Sequence, residues 1–207
     1  MSAMPRAKRR APSSKESASP APAGRVRIIG GQYRRTPLPV VDAPGLRPTP
    51  DRVRVTLFNW LEHLLGGVAG KRALDLFAGT GALGFEMASR GAAAVVLVES
   101  HARAADALRR TQLKLDAQNI RVQQADWHAA SAAMPAASFD VVFLDPPFDS
   151  GMLERAIGVG LGLLASGGLL YVECADPVAP ADLERWGAQL VRADKAGAVH
   201  FHLLRRL

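Results

Sequence analysis

From residue 73 onward, short apolar runs recur along the chain with helical patterns between them. The runs are 73–77, 94–99, 120–124, 139–144 and 168–173. Most are nearly continuous in Val, Leu, Ile, Ala and Phe, as in strands buried on both faces. Segments near 82–90, 102–117, 128–133 and 152–164 space their apolar residues for helices. Such alternation predicts an α/β fold with a parallel sheet covered on both faces. A helix is expected near 180–188, followed by runs at 189–194 and 198–205. Only Lys195-Ala196-Gly197 separates those two runs, which predicts an antiparallel pair. The sheet is therefore seven-stranded and mainly parallel, with an antiparallel C-terminal strand.

The N-terminal side is patterned differently. Residues 25–30 read as a strand, Gly30-Gly31 as a turn, and 32–40 as a returning strand. Pro37 and Pro39 confine the second strand to an edge. Pro44, Pro48 and Pro50 stiffen the loop that follows, and Asp51 is placed to cap a helix. Val53, Leu57, Leu61, Leu64 and Leu65 give that helix a core-facing stripe, and Gly66-Gly67 with Gly70 ends it. Residues 1–24 hold almost no large apolar residue and predict a disordered basic tail. The expected organisation is that tail plus one domain at 25–207. The domain divides into a hairpin and loop extension at 25–50 and a catalytic core at 51–207.

Charge sharpens this division. Residues 1–72 carry 14 Lys and Arg against 4 Asp and Glu, a net of +10. Residues 73–207 carry 12 against 15, a net of −3. A polyanion such as nucleic acid suits the basic portion, although a merely solvated tail has the same composition. No apolar run is long enough to span a bilayer, and the N-terminus lacks the apolar segment of a signal peptide. One cysteine, Cys174, rules out an intramolecular disulfide and a cysteine-based zinc cluster and suits a small buried strand residue. The five histidines show no metal spacing; His200 and His202 are expected at a surface or edge. Trp60, Trp127 and Trp186 read as core or edge residues. A cytoplasmic, monomeric, metal-free protein is expected.

Candidate chemistry gathers at predicted carboxyl ends of strands. Gly79-Thr80-Gly81-Ala82-Leu83-Gly84 matches G-x-G-x-x-G, follows a strand and opens a helix. The carboxylate of Asp75, four residues before Gly79, suits a cationic amino-acid moiety better than a phosphate. S-adenosylmethionine (SAM) has such an ammonium group and no phosphate. Local backbone capping is the alternative role for Asp75. Glu99 ends the next strand and can accept both ribose hydroxyls, or cap the helix near His101. Asp126 can accept the adenine amine, or cap the helix at 128–133. Ligands in such sheets bind outside the carboxyl ends of the strands.

Asp145-Pro146-Pro147-Phe148 follows the fourth run. An amine conjugated to a base ring is a poor nucleophile because its lone pair is delocalised. Asp145 and the Pro146 carbonyl can each accept one of its N–H bonds. Pro146-Pro147 stiffens the loop and leaves carbonyls free to accept. Phe148 can stack on an extruded base. Together with the glycine loop, this predicts methyl transfer to an exocyclic nitrogen; a plain strand-ending turn is the alternative.

Arg27-Ile28-Ile29-Gly30-Gly31-Gln32-Tyr33-Arg34 resembles the RsmD-type 16S rRNA guanine-N2 methyltransferase family, a class-I Rossmann-like methyltransferase family. So do Gly45-Leu46-Arg47-Pro48-Thr49-Pro50-Asp51-Arg52-Val53-Arg54 and Thr56-Leu57-Phe58-Asn59-Trp60-Leu61. The resemblance runs from about Arg25 to the C-terminus. It implies methylation of one guanine amine in 16S rRNA of small ribosomal subunit particles. It also implies that Asp75, Phe77, Gly79 and Gly81 bind SAM, with Glu99 at the ribose and Asp126 at the adenine. Asp145 to Phe148 would hold the guanine amine, with Thr49 beside the cofactor or the RNA entrance. Arg47 and Arg52 would share that place, and the basic charge of the N-terminal portion makes Arg27, Arg34, Arg35, Arg47 and Arg52 the expected RNA contacts. Val55 stands where the family pattern leads one to expect Glu, Tyr33 replaces a Trp, and Phe148 lacks the hydroxyl of Tyr variants.

A DNA adenine-N6 or cytosine-N4 methyltransferase would use the same tetrapeptide. Only 59 residues follow Phe148, however, which is little for a target-recognition segment. An NAD-dependent oxidoreductase is disfavoured by Asp75 and the tetrapeptide. A non-catalytic RNA-binding module would not need four strand-end carboxylates.

Overall fold

The structure, a computed structural model, describes residues 26–41, 49–147 and 151–207. The expected tail at 1–24, together with Arg25, Arg47 and Phe148, lies outside the described residues. The N-terminal hairpin pairs β1 (Val26–Arg27) with β2 (Pro37–Leu38) and leads to helix α1 (Asp51–Leu65). The chain then runs β3 (Arg72–Asp75), α2 (Ala82–Ser89), β4 (Ala94–Glu99), α3 (Ala102–Lys114) and β5 (Ile120–Gln124). It continues through α4 (Trp127–Ala132), β6 (Phe139–Leu144), α5 (Leu153–Leu163) and β7 (Leu164–Cys174). Helix α6 (Pro180–Trp186), β8 (Ala188–Ala196) and β9 (Val199–Arg206) complete it.

The seven-stranded sheet has the order β5-β4-β3-β6-β7-β9-β8. Strands β3 to β7 are mutually parallel, and β9 runs antiparallel to both neighbours. This is the expected Rossmann-like arrangement. Strand order reverses beside β3, so the carboxyl ends of β3 and β6 border a natural crevice.

Alternation along each strand divides the core. Ala73, Val95, Val141, Phe143 and Tyr171 face α1, α2 and the hairpin. Leu74, Val98, Val142, Leu144 and Val172 face α4 and α5. Successive side chains point to opposite faces, so a run apolar at every position fills both layers.

Several expectations change in detail. The extension is a short hairpin rather than two long strands, because residues 30–35 are spent on turns. Gly31 and Arg35 are left-handed there, and Ile28 N–H to Thr36 O at 3.0 Å closes the loop. Asp51 is the first helical residue of α1 and not its cap, which is Pro50. Its carboxylate instead takes the Arg54 guanidinium at 2.6 Å. Strand β7 begins earlier than expected, with Leu164 opposite Phe139 before a register shift. Lys195 and Ala196 belong to β8, so Gly197-Ala198 makes a two-residue turn. His202 is not at the surface: it is 2% exposed, with Nδ1 3.6 Å from the buried Cys174 sulfur.

Candidate active site

The loop after β3 carries the first half of the site. Leu76 N–H donates to Phe143 O at 3.2 Å and Ala78 N–H to Val98 O at 2.9 Å, which extends the strand path into the loop. Asp75, at the end of β3, is 2% exposed. Its Oδ1 accepts the Phe77 N–H at 3.3 Å. Burial pushes its carboxyl up to about 7, and repulsion from Glu99 and Glu173 adds to this against the pull of backbone N–H groups. Among the described residues, no cation offsets the charge. A ligand ammonium group would supply the missing partner.

Glu99 ends β4 and ties the loop down. Its Oε2 accepts the Gly79 N–H at 2.9 Å and its Oε1 the His101 N–H at 2.7 Å. Each carboxylate oxygen keeps a further lone pair. Asp126 caps α4, with Oδ1 accepting from His128 at 2.9 Å and Ala129 at 3.2 Å. Both cap bonds use Oδ1, which is compatible with a ligand contact through Oδ2.

Asp75, Phe77, Gly79, Glu99, Asp126, Asp145, Pro146 and Pro147 all line one cleft of about 890 Å³. Gly81 does not line it. A Cβ at Gly81 would lie 2.6 Å from both Leu108 Cδ2 and Phe85 Cδ2, and its φ of 77° is left-handed. The second glycine therefore serves packing of α2 against α3, whereas Gly79 faces the cleft. Gly84 plays a similar part, since a Cβ there would collide with Leu97 Cδ2 on β4.

Trp127, Met152 and Glu173 are among the wall residues to which the sequence assigned no ligand-binding role. Trp127 is mostly buried and meets Phe77 with ring centroids 5.7 Å apart. Its position directly after Asp126 was the available signal. Glu173 lies at the carboxyl end of β7, the same rule that selected the other four carboxylates. Thr49 and the Gly197-Ala198 turn complete the rim, and Thr49 Oγ1 stands 3.5 Å from Asp145 Oδ2.

A second depression of about 560 Å³ adjoins the cleft. Arg27, Arg34, Arg35 and Arg52 line it, and Arg52 lines both. Arg52 Nη2 donates to the Lys195 carbonyl at 2.8 Å, which braces the β8–β9 turn. Arg27 Nε is 3.3 Å from Asp51 Oδ2, so part of its charge is offset. Val55 is 41% exposed on this surface and contributes no polar group. Among the described residues, no His, Cys, Asp and Glu group is arranged for a metal, and no helix is long and apolar enough to cross a membrane.

The model of the family described as conserved hypothetical protein 95 matches residues 26–205. The chain is 42% identical over 189 residues to ribosomal RNA small subunit methyltransferase D of Escherichia coli, covering 88% of this chain and 91% of that protein. It is 37% identical over 194 residues to the protein of that name from Haemophilus influenzae, covering 91% and 98%. Among solved structures, an Escherichia coli protein described as a candidate methyltransferase superposes with a TM-score of 0.75 at 39% identity, covering 88% of this chain and 98% of that one. The chain belongs to the conserved hypothetical protein 95 family, that of the ribosomal RNA small subunit methyltransferase D proteins, and is a methyltransferase.

Proposed function

We propose that the protein transfers a methyl group from SAM to the exocyclic N2 of one guanine in 16S rRNA of small ribosomal subunit particles. The observation that carries this reading is the juxtaposition of Asp75 and Asp145 in one cleft. Their strands are adjacent, with Asp75 opposite Phe143, two residues before Asp145. A buried carboxylate lacking a cation thus neighbours the acceptor loop. The relatives named as small-subunit rRNA methyltransferases support the choice of substrate.

Asp75 would hold the methionine ammonium, Glu99 the ribose hydroxyls and Asp126 the adenine amine, with Phe77 and Trp127 as apolar walls. SAM supplies a methyl group already activated by its sulfonium. Asp145 and the Pro146 carbonyl would accept the two N–H bonds of the guanine amine and turn its lone pair toward that methyl. Phe148, outside the described residues, would stack on the base. Alignment of nucleophile and methyl is the main contribution, as in other reactions governed by positioning. The proton lost from the methylated amine would pass to Asp145 or to water. The arginines of the second depression would hold RNA phosphates at the mouth of the cleft, assisted by Arg47.

The deciding experiment maps methylated nucleotides in 16S rRNA from a strain lacking this protein. One guanine should lose its N2 methyl group and regain it on complementation with the wild-type chain but not with D145A. Unchanged 16S rRNA, or a lost mark on another base, would refute the reading.

A further inference from the structure

Strand β7 stops at Cys174, which lies opposite His200 of β9. The β8–β9 ladder continues one pair further, to Ala196 opposite Val199, before it turns through Gly197 and Ala198. The turn therefore stands beyond the carboxyl edge of the sheet, and residues 196–199 all line the cleft. Strand order sets its place along that edge. Asp75 and Glu99 end β3 and β4, and Asp126 follows β5, all on one side of β6. Strands β7, β9 and β8 lie on the other side. Neighbouring strands are ~4.8 Å apart, so β9 is roughly 10 Å from β6 and roughly 15 Å from β3. The Asp145-Pro146-Pro147 segment after β6 thus divides the cleft, with the three carboxylates assigned to SAM on one side and the turn on the other.

The turn is small and apolar, with Ala196, Gly197, Ala198 and Val199 in succession. Gly197 and Ala198 are exposed. A Cβ at Gly197 would meet nothing within 4 Å, so the tip stands clear of the protein's own atoms. Short apolar side chains leave room for a flat ring and suit its face. The turn is nonetheless held in place. Arg52 Nη2 donates to the Lys195 carbonyl at 2.8 Å, a charge-assisted bond from the first turn of α1. One helical turn further along α1, Trp60 stacks on Phe201 of β9 with ring centroids 5.4 Å apart, which fastens the same strand pair to the helix.

We propose that the turn at 196–199 is the wall that bounds the target base at the acceptor end of the cleft, and that Arg52 is the positioning residue that holds this wall. The inference rests on the reading of the cleft as a site of SAM-dependent guanine methylation. It gives the C-terminal strand pair a part in placing the substrate. Arg52 also lines the arginine depression, so one side chain serves both the seat of the RNA and the wall against its base.

The test is steady-state kinetics of the full chain on small-subunit particles from the strain lacking it, paired with calorimetry of S-adenosylhomocysteine. It compares wild type, A198S, A198L, A198W, R52A and R34A/R35A. Losses of kcat/KM for particles should rank with side-chain volume at position 198, smallest in A198S and about 100-fold in A198W, the scale of a misplacement of ~1 Å. S-adenosylhomocysteine affinity should stay at the wild-type value throughout the series. R52A should lower kcat at saturating particles by roughly 10-fold, because a loosened wall misplaces the bound base. R34A/R35A should raise the KM for particles instead. A198W at the wild-type rate, or A198W with lost S-adenosylhomocysteine binding, overturns the wall. An R52A defect confined to KM overturns the positioning role and leaves Arg52 a phosphate contact. Should A198W fail to fold, A198L against A198S decides. A wild-type chain that methylates no guanine rejects the functional reading itself, whereas an active wild type matched by A198W rejects the wall alone.

Discussion

Arg54 and Glu86 meet in the interior with Nη1 4.0 Å from Oε2, and neither side chain is exposed. The pair joins α1 to α2 and holds the hairpin. Glu86 accepts the Ile29 N–H at 2.6 Å and the Gly30 N–H at 2.8 Å, and Arg54 donates to the Arg27 carbonyl at 2.7 Å. Removing the carboxylate leaves the two backbone donors without their acceptor and takes a partner from Arg90, at 2.8 Å, while, among the described residues, the buried Arg54 keeps only Asp51, at 2.6 Å, as its carboxylate. E86A should therefore lose about 3–5 kcal/mol of stability, read from denaturant unfolding. A wild-type midpoint would mean that apolar packing alone seats the hairpin.

As the proposed partner of the cofactor's ammonium group, Asp75 should make cofactor affinity pH-dependent. Its carboxyl is pushed up to about 7, so below that pH the free protein holds it protonated. An ammonium group needs the charged form. Calorimetry should find S-adenosylhomocysteine affinity complete above about pH 7 and falling by roughly tenfold per unit below it. D75N should bind weakly with no slope in that window. The unliganded fold responds in the opposite sense. The raised pKa contributes stability that is fully present below the unfolded value near ~4 and lost as pH rises through about 7. An affinity flat with pH would separate Asp75 from the ammonium.

D145A should keep S-adenosylhomocysteine binding and lose transfer. Deleting one hydrogen-bonding group used in the transition state costs about 2–4 kcal/mol, or roughly 30- to 1000-fold in kcat. Near-normal turnover would contradict the amine-holding role.

The arginines of the second depression should govern particle binding and not cofactor binding. In R34A/R35A, the slope of log affinity against log salt should flatten by roughly one unit, or slightly less, per lost phosphate contact. Deletion of residues 1–24 should leave methylation intact at low salt. Lost methylation in the deletion, with a wild-type double variant, would move the docking surface to the tail.

The sheet was legible because its central strands are apolar at both parities and its helices are spaced between them. Four strand-end carboxylates were legible for the same reason: the ends of strands could be located. Glu173 was not singled out, although it also closes a strand, since no motif surrounds it. The sequence could not reveal Arg54 and Glu86 as partners, because burial of a charge depends on a contact between residues 32 positions apart. Nor could G-x-G-x-x-G say which glycine faces the cleft and which faces Leu108. His202 misled because alternation along a strand identifies a face without saying what covers it.

Helix α2 is only eight residues long, about 12 Å, and every one of them is buried. Its first turn grows out of the glycine loop. Its last turn grips the hairpin through Glu86 and through Ser89, whose Oγ accepts the Tyr33 N–H at 2.9 Å. One short rod thus acts as a gauge block between the glycine-loop cleft and the arginine-lined depression. Inserting a single residue would turn one end against the other by about 100° and lengthen the span by ~1.5 Å. Insertions and deletions should therefore be tolerated in the loops on either side far better than within α2 itself.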